Sequence, residues 1–517
     1  MNNAPAILRS LIIYAVIVPL AVFIGYLLSN PLDYSSMAVY GLLALVLVFP
    51  LLMKWHYPIL LFSWSATITL PFLKGAPNLW VAMVVLSLGI SILERILLPN
   101  RHFIRVPQIT WPSIFLIAVI LFTAKMTGGF GLHAFGSDVY GGKKYIFQII
   151  GILSFFAITA RPIPPEKAKW YVGLFFLGQA TCLVGDMYPI TPSFLHFIYF
   201  VFPPSGAYSG AGSGIQIGVT RMGGVGNAGV AVCLCMLARY GVRGIFMGGK
   251  LWRIVLWIFC FGLVFLGGYR SAVLAVAGTF SIMFFMEGMH RTRLLLISIL
   301  AGTLMVAVMA PLASHLPFTF QRSLAFLPLD ISQEARGSAE DSNNWRLALW
   351  KSLWTQVPRH LLLGKGYAIS TEDFQFMGSD SAFGSIDAGQ QGLALSGDYH
   401  NGILSVLLPF GIWGLMGYVW FMVAGLWVLH SNWQYGVPAF RTVNALLFAC
   451  CLLDFVSFAT CMAGTWFSIG CGYWAGYVGL SIALNNGVCR KMYPVAAETP
   501  VGKPIRTFPR MRPGFQR

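Results

Sequence analysis

The sequence predicts an all-α, polytopic integral membrane protein of about fourteen (12–14) transmembrane helices with one large extracytoplasmic loop. Two observations carry that expectation. Of 517 residues, 57% are apolar and only 10% are charged. A soluble domain carries about 25% charged residues, so this chain has too few to cover a surface facing water. The apolar residues also gather into runs close to the roughly 20 residues that a helix needs to cross about 30 Å of hydrocarbon. The same composition excludes a disordered chain, a collagen and a coiled coil.

In chain order, the runs at 10–29, 35–53, 57–73, 79–93, 111–124, 145–160, 170–184, 222–238, 251–266, 271–286, 294–312, 403–429, 443–461 and 466–484 read as spans. The first is longer than a secretory apolar region. Ser29-Asn30-Pro31 after it offers no small-x-small cleavage site, so it reads as a retained helix. The expected organisation is a transmembrane helical domain over 1–485, a large loop at 313–400 between spans eleven and twelve, and a basic tail at 486–517.

Charge sets the orientation. The chain holds 34 Lys+Arg against 17 Asp+Glu, a net +17. In a soluble protein that excess would point to nucleic acid, but membrane topology accounts for it instead. With the Arg-rich tail placed in the cytoplasm, the loops alternate so that basic residues gather inside. Both termini are then cytoplasmic, and no nucleic-acid partner is needed. Three outer segments remain. Segment 128–144 is Gly-rich, 186–221 is Pro- and Gly-rich with an aromatic stretch, and 313–400 is the longest. A loop of that length usually carries function.

The nine cysteines avoid the long outer loops, so they imply no disulfide framework. Cys233 and Cys235 point to different helix faces and read as packing thiols. Gly224-Val225-Gly226-Asn227-Ala228-Gly229 has the dinucleotide spacing, yet no strand precedes it and a membrane span follows, which rejects a Rossmann site. A phosphate at the N-terminus of that span stays open. Asp454 is the one acid in mid-span, an expensive placement with either a structural or a functional reason. No clustered Asp/His set on the outer side implies a metal.

Several outer basic groups have no topological reason to be there. Arg221 ends the second outer loop, and Arg270 sits in Gly267-Gly268-Tyr269-Arg270-Ser271 at the mouth between spans nine and ten. Arg346 opens a stretch, 345–356, with the spacing of an amphipathic helix lying on the membrane. His400 stands where the long loop re-enters the bilayer. Each arginine alone can simply pair with a lipid phosphate, and the histidine can be a cap. Together they fit phosphoryl-linked lipid chemistry. Arginine offers a planar fork for phosphate oxygens, and histidine, with a pKa near 6.5, accepts a proton at working pH.

These motifs, in this order, resemble the O-antigen ligase and polymerase superfamily of bacterial membrane glycosyltransferases. Leu266-Gly267-Gly268-Tyr269-Arg270-Ser271-Ala272 resembles its Ser/Thr-Arg-small-apolar signature, and Asn344-Trp345-Arg346-Leu347 its Arg-bearing loop segment. Leu362-Leu363-Gly364-Lys365-Gly366-Tyr367 continues that segment. Tyr399-His400-Asn401-Gly402-Ile403-Leu404, followed by Gly411-Ile412-Trp413-Gly414, resembles its His-Asn-x-x-Leu…Gly-x-x-Gly element. Arg221-Met222-Gly223-Gly224 with Asn227 resembles an upstream element more loosely. The set covers 221–417. One departure is Pro409-Phe410, where many members carry an acid before the first glycine. Asp398 is the candidate substitute.

The resemblance implies a glycan donor on undecaprenyl diphosphate, at the periplasmic face of the inner membrane. Its glycan passes to a hydroxyl on a glycan or lipid acceptor, with no metal, nucleotide sugar or other cofactor. It implies that Arg270 and Arg346 hold the diphosphate, that His400 deprotonates or orients the acceptor hydroxyl with support from Asn401, and that Arg221 is an auxiliary contact. Ligase, polymerase and protein O-glycosyltransferase stay open. A flippase for lipid-linked sugars is the competing class. It would show two related halves and short outer loops, whereas the long loop here is single and off-centre.

Overall fold

The computed structural model describes residues 34–73, 75–98, 102–129, 131, 141–204, 222–368, 397, 399–460 and 467–491, with isolated positions between 14 and 25. These residues are helical, with no strand among them and one isolated antiparallel bridge, Thr69 to Asn78. The helices of the first half are α1 (Tyr34–Ser63), α2 (Leu79–Leu97), α3 (Pro107–Thr127), α4 (Gly142–Ile158), α5 (Pro165–Leu177) and α6 (Cys182–Asp186). Then come α7 (Gly223–Phe246), α8 (Leu251–Leu266), α9 (Arg270–Met286) and α10 (Leu294–Leu312). The long outer segment adds α11 (Phe318–Ser323), α12 (Gln333–Trp354) and α13 (Val357–His360). The chain then continues as α14 (Gly402–Tyr435), α15 (Arg441–Ala459) and α16 (Phe467–Asn485).

Six helices among the described residues are long and apolar enough to cross a membrane, or seven if the bent α1 is one span. The fourteen expected spans are thus not matched one for one, and the differences have physical causes. The run at 10–29 is described only at isolated positions between 14 and 25. The runs at 35–53 and 57–73 share α1, which bends by 92° at Pro50 and stops at Ser63. Proline removes a backbone donor and clashes with the preceding turn, the usual cause of so sharp a bend. The run at 170–184 is interrupted after Leu177 by a 3₁₀ turn, Gly178–Thr181. Helices α8 and α9 hold 16 and 17 residues, so each spans only about 25 Å. Hydropathy registers apolar runs and is blind to such breaks.

Helix α10 shows what solvent the fold needs. None of its described side chains is buried, and Leu296, Ile299, Leu300 and Leu304 are more than half exposed. An apolar surface of that size has no counterpart on a soluble monomer and requires lipid. The protein is an all-α, multi-pass membrane protein.

Two breaks inside helices are repaired by distant groups. Helix α7 breaks at Gly241 (φ 64°, ψ 177°). There the Glu287 carboxylate accepts the freed N–H groups of Val242 and Arg243 at 3.0 and 2.7 Å. Burial pushes the Glu287 carboxyl above the usual carboxylate range, and these two donors partly offset it. Helix α14 breaks at Gly411 (φ 65°, ψ −165°), two residues after Pro409. Its loose carbonyls at Leu408 and Pro409 accept from Lys365 and Gly366 at 2.8 and 3.0 Å, and Ile412 N–H donates to Leu361 at 2.7 Å. Backbone in an apolar setting must be satisfied somewhere. The segment after α13 supplies what α14 lacks.

Polar contacts also sort the connections into two ends of the bundle. At one end Glu94 pairs with Arg161, Ile163 N–H bonds Ala483, and Asn432, Asn444, Ser481 and Asn485 form a buried network tying α14, α15 and α16 together. At the other end Thr69 bonds Val201, Asp186 bonds Val225, and the segment following α13 meets α14.

Candidate active site

The second end carries the site, and α12 organises it. Its N-terminus is well made: Ser332 caps it by accepting Ala335 N–H at 3.3 Å, and Glu334 lies in the first turn, where a negative charge suits the helix dipole. Residues 345–354 of the expected amphipathic stretch 345–356 belong to this longer helix, which ends at Trp354, and the stretch does not lie free on the membrane. Trp345, Leu349 and Leu353 pack against Tyr399, Leu404, Leu407 and Leu408, at the start of α14. Those apolar side chains bury more area against a helix than against a headgroup layer.

Arg270 opens α9, against the helix dipole, immediately after the turn at Gly267-Gly268. Its Nη2 donates to Ala339 O at 3.3 Å and to Asn343 Oδ1 at 3.1 Å. Ala339, Asn343, Arg346 and Trp350 follow at the spacing of one helix face. Arg346, half-buried, therefore stands one turn beyond the residue that holds Arg270.

His400 reaches the same helix from the other side. Its ring meets Trp345 edge to face, with centroids 5.6 Å apart and planes at 74°. The neighbouring Tyr399 carbonyl accepts Trp350 Nε1–H at 2.8 Å. His400 itself has φ 48°, a left-handed conformation uncommon for histidine and held only where its surroundings enforce it. Asn401 is 2% exposed, and its Oδ1 caps α14 by accepting Leu404 N–H at 3.1 Å. That bond gives its side-chain oxygen the structural duty of capping the helix next to His400.

Arg270 and His400 thus both contact α12, which itself carries Arg346. Arg221 and Asp398 lie outside the described residues. The phosphate site considered at the start of α7 is already taken, because Asp186 Oδ2 accepts Val225 N–H there at 2.8 Å. The glycines of that run serve packing: a Cβ at Gly226 would come within 3.0 Å of Gly267, and one at Gly229 within 2.6 Å of the Cys260 carbonyl. Such close approach is the usual use of small residues between membrane helices.

Sequence reasoning missed the wall beneath the site. Tyr367 N–H donates to Tyr145 Oη at 2.8 Å, and Gln148 Nε2 to Tyr367 Oη at 2.5 Å, fixing the 361–367 segment on α4. Gly364 and Gly366 either side of Lys365, with Pro409 and Gly411 downstream, were the available signal. Among the described residues no three His, Cys, Asp or Glu side chains gather as a metal site would.

A family model described as O-antigen ligase matches residues 254–419. This places the segment in the O-antigen ligase/polymerase superfamily. The O-antigen ligase match runs from α8 into α14 and takes in Arg270, Arg346, His400 and Asn401. Arg221 lies outside it. No curated protein matches the chain.

Proposed function

We propose that the protein transfers a glycan from undecaprenyl diphosphate to an acceptor hydroxyl at the periplasmic face of the bacterial inner membrane, with both termini cytoplasmic and the 313–400 segment periplasmic. The observation that carries this reading is the meeting of Arg270 and His400 on one helix, which also bears Arg346. Two fixed cations and a base on one scaffold suit the loss of a diphosphate leaving group.

In the proposed reaction the bond from the anomeric carbon to the diphosphate oxygen breaks and a bond to the acceptor oxygen forms. The acceptor proton passes to His400. Undecaprenyl diphosphate departs with the bonding electrons, and its growing negative charge is met by Arg270 and Arg346. Arginine suits the task because it stays charged at low dielectric and binds phosphate in two-pronged fashion. The reaction as proposed uses no metal, cofactor or nucleotide sugar, and its partners are the lipid-linked donor, a glycan or lipid acceptor and the membrane. Asn401 acts by holding the turn that presents His400. Arg221 remains an auxiliary contact for phosphate or glycan.

The glycan profile of a strain lacking the gene tests the reading. Long unattached chains indicate a ligase, and single repeat units a polymerase. Donor trapped on the cytoplasmic leaflet would contradict both and identify a flippase.

A further inference from the structure

The connection after α6 carries a surface that the proposed reaction does not use. It runs through a 3₁₀ helix, Ser193–Phe200, containing Phe194, Phe197 and Phe200. A 3₁₀ helix has three residues per turn, so this spacing stacks all three rings on one face. They are 75%, 62% and 70% exposed, and Ile190 just before them is 77% exposed.

The opposite face is anchored. Tyr199 is 8% exposed and packs edge-on against Tyr188, which stacks with His196 at 4.8 Å. The far end is tied down by Thr69, whose N–H donates to Val201 O at 2.8 Å and whose Oγ1 donates to Phe200 O at 2.7 Å. The rings therefore project from a rigid mount. No Lys, Arg, Asp or Glu falls between Met187 and Pro204. Leu177, Leu183 and Met187, which lead into this connection from the preceding apolar helices, are exposed as well, so the chain enters the 3₁₀ helix through apolar residues open to the surroundings.

We infer that Ser193–Phe200 is an aromatic keel seated in the bilayer interface on the side of the molecule that carries His400. Its partner is the lipid boundary between headgroups and acyl chains, where flat apolar rings on a short surface helix bury their area. The keel has a direct line to the site. Asp186, at its root, bonds Val225 at the start of α7, and a Cβ on Gly223 would lie 3.6 Å from the Tyr269 ring, next to Arg270. The keel thereby sets the depth at which Arg270 sits in the membrane.

The test places a photoreactive benzophenone amino acid singly at 194, 197, 200 and, as a polar-helix control, at Glu334. The full-length protein is assembled in nanodiscs of phosphatidylethanolamine and phosphatidylglycerol. Retained elution as a single species shows that each variant is folded. Irradiation is expected to give lipid adducts at all three keel positions, several-fold above Glu334. Yields equal to Glu334 overturn the inference, as do adducts to a second copy of the chain in place of lipid. Neither result depends on glycan transfer, so the inference and the proposed reaction can fail separately.

Discussion

Asn401 caps α14 with its side-chain oxygen while its backbone carries the turn that holds His400 at φ 48°. Asn401→Ala should cost about 1 kcal/mol of stability, the usual loss for a helix cap. It should also lower the transfer rate, because the turn presenting His400 loosens. Asn401→Asp keeps an acceptor at the cap and should restore most of both. Thermal unfolding beside steady-state transfer separates the two effects. At this scale much of the candidate site was legible. Arg270, Arg346 and His400 stand out in sequence because the expected orientation does not require basic groups on its outer side. The duty of Asn401 was hidden, since an Asn beside a His looks the same whether it caps a helix or touches a ligand. Asp186 was hidden too: only the fold shows its carboxylate filling the helix start that the glycine run left open for a phosphate.

Broken helices dominate the next scale. Gly411 takes a positive φ, and a Cβ there would lie 2.5 Å from the Leu362 carbonyl. Gly411→Ala therefore meets backbone strain of about 1–3 kcal/mol, because φ 65°, ψ −165° is open essentially to glycine alone, and a backbone clash. Its expected outcome is a clear drop in melting temperature, with loss of the 361–366 docking visible as faster amide exchange at Lys365 and Gly366. At the other end, Glu287→Ala removes the acceptor of two N–H groups. Leaving the buried Val242 N–H unsatisfied costs about 1–3 kcal/mol, whereas the exposed Arg243 N–H can turn to water, so the variant should unfold earlier on heating. Burial raises the folded Glu287 pKa, so its charge costs stability that is recovered as pH falls through that raised value. The variant should lose this dependence, measurable as a flatter curve of melting temperature against pH. Most helices were legible from hydropathy, and α8 and α10 match their expected runs. The breaks at Pro50, Gly241 and Gly411 were not, because a break depends on which distant group repairs it.

Across the whole molecule, the polar contacts separate into two ends, and the proposed orientation assigns each end a side of the membrane. Glu94–Arg161 and the Asn432–Asn444–Ser481–Asn485 network gather at the end assigned to the cytoplasm, and α12 with its arginines and histidine at the other. Chemical labelling of single cysteines in intact cells checks this arrangement. A cysteine at Asn344 should react with an impermeant reagent, and one in the basic tail should not. That result would make the net charge of +17 a record of topology and would leave Arg270 and Arg346 as basic groups that orientation does not explain.

The central claim is that His400, held by α12, removes the acceptor proton. Purified protein in nanodiscs, given a defined glycan on undecaprenyl diphosphate and an acceptor, measures it directly. His400→Asn is the cleanest variant, because asparagine tolerates the left-handed backbone that position 400 requires while lacking a basic nitrogen. General-base catalysis contributes about 10²–10⁴-fold, and the account predicts a loss of that order in transfer rate with donor binding kept. Arg270→Ala and Arg346→Ala should each lose about 10²–10³-fold, as when one charge-stabilising donor is removed. Transfer by folded His400→Asn at the unmodified protein's rate would contradict the account.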